Sequence, residues 1–553
     1  MTIDSVGDGP VVVPASAPPQ DVPSLSSMPL PTASAAPSAA TGSAPPGGAP
    51  HRLRGGAIGL VAVLFMALAN AAPITAMTGN VPIAVGYGNG TGAPAGFLVA
   101  TVVLTIFAVG YVAMAKHITA TGAFYGFISH GLGRIVGMGA GLLATFSYIV
   151  FEGSLVGIFA SFAKNTVTTF GGPDVSWIVY ALICVVVVGL LGYFDISLSG
   201  KVLGVFLVTE VIVLSALGLG VLIGGGGPDG LLTEAVNPIN AFSDAPAVGA
   251  AAAGSAGIGL FFAFWSWVGF ETTAVYGEES RDPKRIVPRA TMIAVVGLGL
   301  FYTFVSWMVL AWNGTDRALE VSRSTSAFDL FFDPTKDVLG TFVFHVYEIL
   351  TVAGSFACAL AFHNAASRYL YALGRDGVSS RLASTLGSTH PKHRSPHLAS
   401  ATQTAITLVI VLGFFFFQKP TEAAPDVAYF YLYGLLALIG TMAILIVQSV
   451  CSVAVIAFFA TKKREAGHWW RTYTAPALGT LGMLYVIYLM LSNLEFAAGA
   501  AADSPVFTVG PWVVVGVFAL GVAVAAALRA RAPHRYAKIG QTLLEDTHER
   551  TDA

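Results

Sequence analysis

Three carboxylates lie inside long apolar stretches of this sequence. Glu152, Glu210 and Glu348 are each flanked by runs rich in Ala, Val, Leu, Ile, Gly and Phe. An ionised acid inside a membrane costs at least about 2.5 kcal/mol, so each side chain is expected to be paired, water-exposed or protonated. All three acids are therefore candidates for proton exchange. The alternative for each is a static hydrogen bond that pins two helices together.

Polar neighbours on the same helical face accompany two of these acids. Thr145 and Tyr148 precede Glu152 by seven and four residues, which predicts a polar stripe on an otherwise apolar helix. His345, three residues before Glu348, and Ser355, seven residues after it, share its face and predict a second polar cluster.

Two apolar segments cannot form uniform helices. Pro73 and Pro82 in the first segment each lack a backbone donor, and Gly79 loosens the chain between them. The second segment has its weak point at residues 265–271, WSWVGFE. Freed backbone groups at membrane depth are tolerated where they line a cavity or meet a ligand, and matching interruptions in two halves indicate a transport site. For either segment alone, a kink in a packed helix is the alternative.

The elements that must position these residues are membrane helices. Of the 553 residues, 55% are hydrophobic and 10% are charged, whereas a soluble domain carries roughly 25% charged residues. Apolar stretches of about 20 residues recur, each long enough to cross a hydrocarbon core of about 30 Å. The twelve predicted spans lie near residues 57–85, 94–114, 133–163, 174–192, 200–225, 254–277, 287–312, 338–373, 396–417, 427–460, 473–494 and 506–530.

The distribution of basic residues predicts the orientation and the domain boundaries. If both termini are cytoplasmic, the cytoplasmic side collects every Lys and Arg except Lys164, Arg317, Arg323, Lys336 and Lys419, as the positive-inside rule requires. Residues 1–50, rich in Pro, Ala and Ser, predict a disordered tail. The predicted organisation continues with spans 1–5 in residues 51–225, spans 6–10 in 226–460, spans 11 and 12 in 461–531, and a cytoplasmic tail in 532–553.

Three blocks of the sequence resemble the amino acid–polyamine–organocation (APC) superfamily of transporters. The blocks are residues 121–134, which begin with TGAFY, residues 264–290, and residues 367–377, SRYLYALGRDG. They resemble the loop between spans 2 and 3, the sixth span with its following loop, and the end of span 8. The resemblance implies an all-α membrane fold of five-plus-five inverted repeats with two trailing helices. It also implies alternating access and the transport of amino acids or amines.

The resemblance also implies the positions of the site residues. Members of the superfamily hold a substrate carboxylate on backbone amides of an unwound span 1, and its ammonium group on carbonyls of spans 1 and 6. The matching positions are Ala71, Ala72, Pro73, Ile74 and Thr75 in span 1, and Phe264, Trp265, Ser266 and Gly269 in span 6. Tyr148 and Glu152 complete the predicted substrate site. The predicted coupling or gating residues are Glu152, Glu210, Glu348, Trp267 and Glu271.

Several of these roles have alternatives. Glu210 lies where some proton-coupled members have a buried lysine, and it can serve as a proton carrier or as a ligand for Na⁺. Trp265 or Trp267 can cap the pocket, with packing as the alternative for Trp267. Glu271 resembles a gating acid, with a cytoplasmic salt bridge as its alternative.

Pro73 departs from the Gly-Ser-Gly-like turn that many amino acid members have in span 1. Proline has no amide hydrogen, so a substrate carboxylate would meet one donor fewer there. A similar proline-containing turn occurs in some amine importers of the superfamily. The requirement for an α-carboxylate in the substrate is therefore open.

Other motifs point away from ATP hydrolysis, metal binding and enzymatic catalysis. The glycine-rich residues 86–92 lack the lysine of a Walker loop. The histidines of residues 390–397 lie in a basic loop, and the three cysteines fit neither a disulfide framework nor a metal site. We expect no cofactor, no metal and no nucleic-acid partner, and we do not expect an enzyme.

The sequence as a whole predicts a proton-coupled symporter or an exchanger of amino acids in the plasma (cell inner) membrane. Its partners would be a small-molecule substrate, a proton or Na⁺, and the lipid bilayer. One alternative is a polyamine or amine importer in which Glu152 is the counter-ion of an ammonium group. A second is an ion transporter or channel without an organic substrate, although no repeated selectivity-filter segment is present.

Overall fold

A computed structural model describes residues 59–118, 123–194, 200–247, 253–274, 280–375, 379–391, 393, 395–421, 424, 426–492 and 504–540. The predicted tail of residues 1–50, most of the predicted C-terminal tail, and parts of the three sequence blocks lie outside the described residues. The α-helices are α1 (Leu60–Ala71), α2 (Pro73–Ile83), α3 (Ala93–Ala115), α4 (Ala123–Leu132), α5 (Arg134–Thr169), α6 (Trp177–Phe194), α7 (Gly200–Ile223), α8 (Ala256–Trp265), α9 (Pro283–Asn313), α10 (Thr315–Ser322), α11 (Asp329–Leu339), α12 (Thr341–Arg375), α13 (Ser380–Ser384), α14 (His397–Phe417), α15 (Leu436–Thr461), α16 (Ala475–Ser492), α17 (Pro505–Arg531) and α18 (Pro533–Tyr536).

The described helices confirm the predicted class, an all-α integral membrane protein. Within the described residues, 11 helical stretches are long and apolar enough to cross a membrane. The predicted sixth span is not among them because its helix α8 has 10 residues before the chain turns. Counting from the N-terminus, α1 with α2 forms span 1 and α8 begins span 6. The other spans are, in order, α3, α5, α6 and α7 for spans 2–5, and α9, α12, α14, α15, α16 and α17 for spans 7–12. Span 10 begins with the π-helical segment Val427–Leu435, which leads into α15.

Span 1 breaks between Ala72 and Pro73. Helix α1 ends at Ala71, and Ala72 adopts the left-handed conformation with φ 39°, which costs an L-residue roughly 1–2 kcal/mol. Pro73 is the first residue of α2, a position where its missing amide and fixed φ are tolerated. The proline that breaks α1 therefore starts α2. Pro82 lies inside α2, two residues before a π-helical turn at Ala84–Gly88.

Span 6 breaks after Trp265, close to the break in span 1. Gly269 has φ +120°, a conformation that strains any residue with a side chain. A Cβ atom at Gly269 would lie 2.5 Å from the Cβ of Asn70. The chain then continues as the 3₁₀ helix Phe270–Ala274. Because Gly269 has no side chain, the turn of span 6 can lie directly against the end of α1.

The two halves of the chain correspond in order. Each half starts with a broken span, and each has a long third span: α5 with 36 residues and α12 with 35 residues. The long helices α5 and α12 pack against each other, α12 also packs against α1 and α2, and α6 and α14 pack against α5 and α12. The core between them is apolar and closely packed, so the polar groups within it stand out as candidates for function.

We predict that Gly269→Ala destabilises the protein, because it adds both a strained φ and an overlap with Asn70. The expected loss is at least about 2 kcal/mol, visible as a lower midpoint of thermal unfolding in detergent. Gly297→Ala is the matched control, since Gly297 lies in α9 with no atom within 4 Å of the added carbon. Equal midpoints for the two variants would contradict the close approach of the two breaks.

Candidate functional site

A cavity lies where the breaks in spans 1 and 6 meet. Its volume is about 20 Å³, which is room for about one water molecule. An organic ligand therefore needs the surrounding helices to move apart. The cavity is lined by Asn70, Ala71, Ala72, Thr75, Ala76 and Asn80 of span 1, Leu155 of span 3, Trp265, Ser266 and Val268 of span 6, Cys358 of span 8 and Tyr433 of span 10.

A chain of hydrogen bonds closes one side of this cavity. The indole Nε1 of Trp265 donates to the hydroxyl of Tyr433 at 3.2 Å, and that hydroxyl donates to Oδ1 of Asn80. Asn80 Nδ2 donates in turn to Oγ of Ser266 at 2.7 Å. Trp265 also stacks on Phe151 of span 3, with ring centroids 4.0 Å apart. Trp265 is therefore held at the wall of the cavity by contacts with spans 3 and 10, and its role as a cap stays a prediction.

Two polar atoms of the lining have no hydrogen-bond partner within the described residues. They are Oδ1 of Asn70 and the hydroxyl of Thr75, and both are buried. An unpartnered buried polar group costs roughly 1–3 kcal/mol. The half-helices α1 and α8 also end here, at Ala71 and Trp265, and the C-terminus of a helix carries a partial negative charge. The cavity thus offers hydrogen-bond acceptors and two helix C-termini, and no acidic side chain of the described residues lines it.

The predicted substrate residues divide into those that line the cavity and those that do not. The lining includes Ala71, Ala72, Thr75, Trp265 and Ser266. The positions that lie outside it are Pro73, Ile74, Tyr148, Glu152, Phe264 and Gly269. Sequence reasoning did not single out Asn70, Ala76, Asn80, Leu155, Val268, Cys358 and Tyr433. Asn70 and Asn80 are polar residues next to the interrupted segment, and this could have indicated them as site residues. Nothing in the sequence around Cys358 or Leu155 indicates a place in the site.

Glu210 of span 5 lies behind the break in span 1 and is 3% exposed. Its Oε2 accepts a hydrogen bond from the backbone amide of Ile74 at 3.4 Å. Its other oxygen, Oε1, lies against span 8, because a Cβ atom at Gly354 would be 2.6 Å from it. The carboxylate therefore contacts the N-terminus of α2, where a negative charge is favoured. It also connects spans 1, 5 and 8.

Glu152 lies in a buried cluster that joins spans 3, 8 and 9. Its Oε1 is 3.0 Å from Nδ1 of His363, and its Oε2 accepts a hydrogen bond from Nε2 of Gln403. The other ring nitrogen of His363 is 2.8 Å from Oγ of Ser400. Glu152 and His363 are both 0–1% exposed. This cluster is part of the packed helices beside the cavity and not of its wall.

Glu271 is fully buried and hydrogen-bonded at the end of the broken sixth span. Its Oε1 accepts from the hydroxyl of Tyr148 at 2.8 Å, and its Oε2 accepts from the backbone amide of Gly269 at 3.0 Å. The hydroxyl of Tyr111 donates to its backbone carbonyl at 3.0 Å. Glu271 thus connects span 6 to spans 2 and 3.

Trp267 and Glu348 lie away from the cavity. Trp267 is fully buried, packs against Phe97 and Tyr302, and donates its Nε1 hydrogen to the carbonyl of Val295 at 3.1 Å. Glu348 lies near the start of α12, with its Oε2 3.1 Å from Nδ1 of His345. Within the predicted cluster, His345 and Glu348 are therefore in contact, whereas the hydroxyl of Ser355 donates to the carbonyl of Thr351. A gating role for either Trp267 or Glu348 stays a prediction.

Within the described residues, no group of three or more His, Cys, Asp or Glu side chains could hold a metal ion. Cys184, Cys358 and Cys451 are free and buried. The candidate site is therefore built from helix ends, amides, hydroxyls and one indole.

Comparison with known proteins assigns the chain to a family. A sequence model described as "Amino acid permease" matches residues 58–528. Since that range covers most of the chain, the protein belongs to the amino acid permease family of the APC superfamily. It is also 26% identical over 148 residues to the low-affinity putrescine importer PlaP of Escherichia coli. That match covers 27% of this chain and 31% of the length of the curated relative.

Solved structures share the fold at low sequence identity. The manganese transporter of Eremococcus coleocola, bound to an aromatic bis-isothiourea compound, superposes with a TM-score of 0.51 at 10% identity. The match covers 84% of this chain and 93% of that one. A mutant of the same transporter gives a TM-score of 0.52 at 11% identity, with the same coverage. Together with the family match, this fold supports a membrane transporter.

We predict that Tyr148→Phe destabilises the contact between spans 3 and 6. The change leaves the buried Glu271 carboxylate with one donor fewer, at a cost of about 1–3 kcal/mol. The measurement is the midpoint of thermal unfolding in detergent. Tyr488→Phe is the control, because the Tyr488 side chain is 62% exposed. If both variants melt at the wild-type temperature, the bond to Glu271 contributes nothing.

Proposed function

We propose that the protein carries a neutral amino acid across the plasma membrane by alternating access, driven by protons, with both termini in the cytoplasm. The observation that carries the proposal is the meeting of two half-helix C-termini at one cavity, at Ala71 and Trp265. Their partial negative charges, with the unpartnered Oδ1 of Asn70, favour a substrate ammonium group.

The lining supports a substrate with one positive charge. Among the described residues, no Asp or Glu lines the cavity, so a second ammonium group would lack a counter-charge there. Leu155, Val268 and the face of Trp265 are apolar and suit a neutral side chain. The free hydroxyl of Thr75 can donate to a substrate carboxylate.

An amine without a carboxylate is the second candidate, and one specific observation favours it. Pro73 has no amide, and the amide of Ile74 already donates to Glu210 at 3.4 Å. The first two residues of α2 therefore offer no free donor to a substrate carboxylate. The similarity to a putrescine importer is consistent with this alternative.

Matched compounds separate the two candidates. We expect purified protein to gain thermal stability with a neutral amino acid such as leucine, since a ligand that binds the folded state stabilises it by mass action. Its decarboxylated and deaminated analogues, isopentylamine and isocaproate, should have little effect. Ornithine and putrescine form a second pair that tests a dibasic substrate.

Each outcome of this panel has a distinct meaning. Binding of isopentylamine or putrescine in place of the amino acids would replace the first candidate with the second. Binding of isocaproate as tight as that of leucine would contradict ammonium recognition at the cavity altogether.

The proposed coupling step uses Glu210. As an anion, Glu210 holds the amide of Ile74 and so ties α2 to spans 5 and 8. Protonation removes the charge that favours the helix N-terminus and weakens this tie. Spans 1, 2, 6 and 7 can then move against spans 3, 4, 8 and 9. Glu152, paired with His363, is the second candidate proton site. A Na⁺ ion bound at Glu210 is the alternative coupling ion.

We predict that Glu210→Gln uncouples transport from the proton gradient. Proton-driven uptake of the substrate from the panel into empty proteoliposomes should fall at least about tenfold. Exchange, measured in proteoliposomes that are preloaded with that substrate, should continue. Glu320→Gln is the control and should keep both activities, because the Glu320 side chain is exposed in α10 and is not among the predicted coupling residues.

Glu152→Gln distinguishes the two proton sites. If it loses the pH dependence of uptake between pH 5 and 8 while Glu210→Gln keeps it, Glu152 is the coupling acid. A sodium gradient that drives uptake at constant pH would instead replace the proton with Na⁺.

A further inference from the structure

A second cavity, of about 730 Å³, lies apart from the broken helices. It is bounded by the C-terminal end of α3, the N-terminal end of α9 and the C-terminal end of α15. The π-helical turn Trp469–Thr474, which leads into α16, completes its wall. We call it the basic cleft. Its lining residues are Val109, Val112, Ala113, Lys116, His117, Pro288, Arg289, Met292, Ile293, Phe459, Glu465, Ala466, Gly467, His468, Arg471 and Thr472.

Positive charge from three separate elements converges on the basic cleft. Lys116 directly follows α3, Arg289 lies in the second turn of α9, and Arg471 lies in the turn before α16. All three are exposed, and none has a side-chain hydrogen bond or ion pair to another described residue. Glu465 is the single acid of the lining. The cleft therefore presents three free cations.

The positive charge around the basic cleft also affects the pKa of His117. Partial burial and the ammonium groups of Lys463, Lys284 and Lys116 lower the pKa of His117. A cationic imidazole is disfavoured beside so many like charges. An anion in the cleft would be favoured by the same field.

The rest of the basic cleft is apolar and continues onto lipid-facing helix surfaces. Ile293 is 50% exposed, and Leu300, seven residues later on the same face of α9, is 62% exposed. On α3, Val109 of the cleft shares a face with Val102, seven residues earlier, which is 51% exposed. Since α3 and α9 cross the membrane, an apolar path leads from the cations along the two spans.

We propose that the basic cleft binds an anionic glycerophospholipid, with its phosphate at Lys116, Arg289 and Arg471 and its acyl chains along α3 and α9. A soluble anion would leave the apolar wall uncovered. A zwitterionic lipid would bring a positively charged group next to three cations, which would repel it. Basic pockets between membrane helices are known to hold anionic headgroups. The bound lipid would tie spans 2 and 7 to span 11.

The test compares lipids that differ only in headgroup. Purified full-length protein is titrated in detergent with phosphatidylglycerol or with phosphatidylcholine of identical acyl chains, and bound lipid is counted by native mass spectrometry. Thermal unfolding provides the second readout. We expect phosphatidylglycerol to bind and to raise the unfolding midpoint, and phosphatidylcholine to do neither.

Two double variants connect the binding to the cleft. Arg289→Gln with Arg471→Gln should weaken phosphatidylglycerol binding by roughly tenfold or more. The lipid-free midpoint should stay unchanged, because both side chains are exposed and form no ion pair with a described residue. Arg529→Gln with Arg531→Gln removes two charges at the end of α17 and should bind as the wild type does.

Four outcomes would overturn the proposal. They are equal binding of the two lipids, wild-type affinity in the cleft variant, an equal loss in the α17 variant, or a full thermal shift with soluble glycerophosphate alone. The last outcome would show a site for a free phosphate ester instead of a lipid.

Discussion

The structure depends on how a membrane protein satisfies backbone groups at a broken helix. Hydrocarbon offers no partners, so each freed amide or carbonyl needs one within the protein. The carbonyl of Ala71 accepts from the hydroxyl of Tyr302 at 3.1 Å, and that of Asn70 accepts from Sγ of Cys358 at 3.1 Å. The amide of Ile74 donates to Glu210. Donors and acceptors on spans 5, 7 and 8 thus make the break in span 1 possible.

Other hydrogen bonds at the two breaks divide the molecule into groups of helices that can move together or apart. Asn70 Nδ2 donates to Oγ1 of Thr272 at 2.8 Å, and Asn80 Nδ2 donates to Oγ of Ser266 at 2.7 Å. These two bonds hold spans 1 and 6 as one unit. Single hydrogen bonds join this unit to span 3, between Tyr148 and Glu271, and to span 5, between Ile74 and Glu210. Three hydrogen bonds join it to Tyr429 and Tyr433 of span 10. Hydrogen bonds of this kind can exchange partners at low net cost. Such a division is what alternating access requires.

Much of this fold was predictable because its signals are local. Hydrocarbon thickness sets the length of a span, so apolar runs alone located the spans to within a few residues. Pro73 marked the break in span 1, since proline cannot continue α1, and Gly269 fell inside the predicted weak point of span 6. The sequence resemblance then pointed to Ala71, Ala72, Thr75, Trp265 and Ser266, all of which line the cavity.

The remaining site residues depend on contacts between distant segments. Tyr433 reaches Asn80 across more than 350 residues, and nothing in the sequence near Tyr433 records that approach. The polar stripe of Thr145, Tyr148 and Glu152 was visible, but periodicity shows which residues share a face and not what that face meets. The partners are His363 and Gln403 for Glu152, and Glu271 for Tyr148.

The central claim, that substrate binds between the broken helices and that this site opens during transport, can be tested on the native cysteines. Cys358 lines the cavity, whereas Cys184 and Cys451 are fully buried elsewhere and serve as internal controls. Alkylation of the three thiols in membranes by a permeant maleimide can be followed by mass spectrometry. The account predicts that Cys358 reacts fastest and that the transported compound protects it. Equal, slow labelling of all three cysteines, unchanged by any compound, would contradict it.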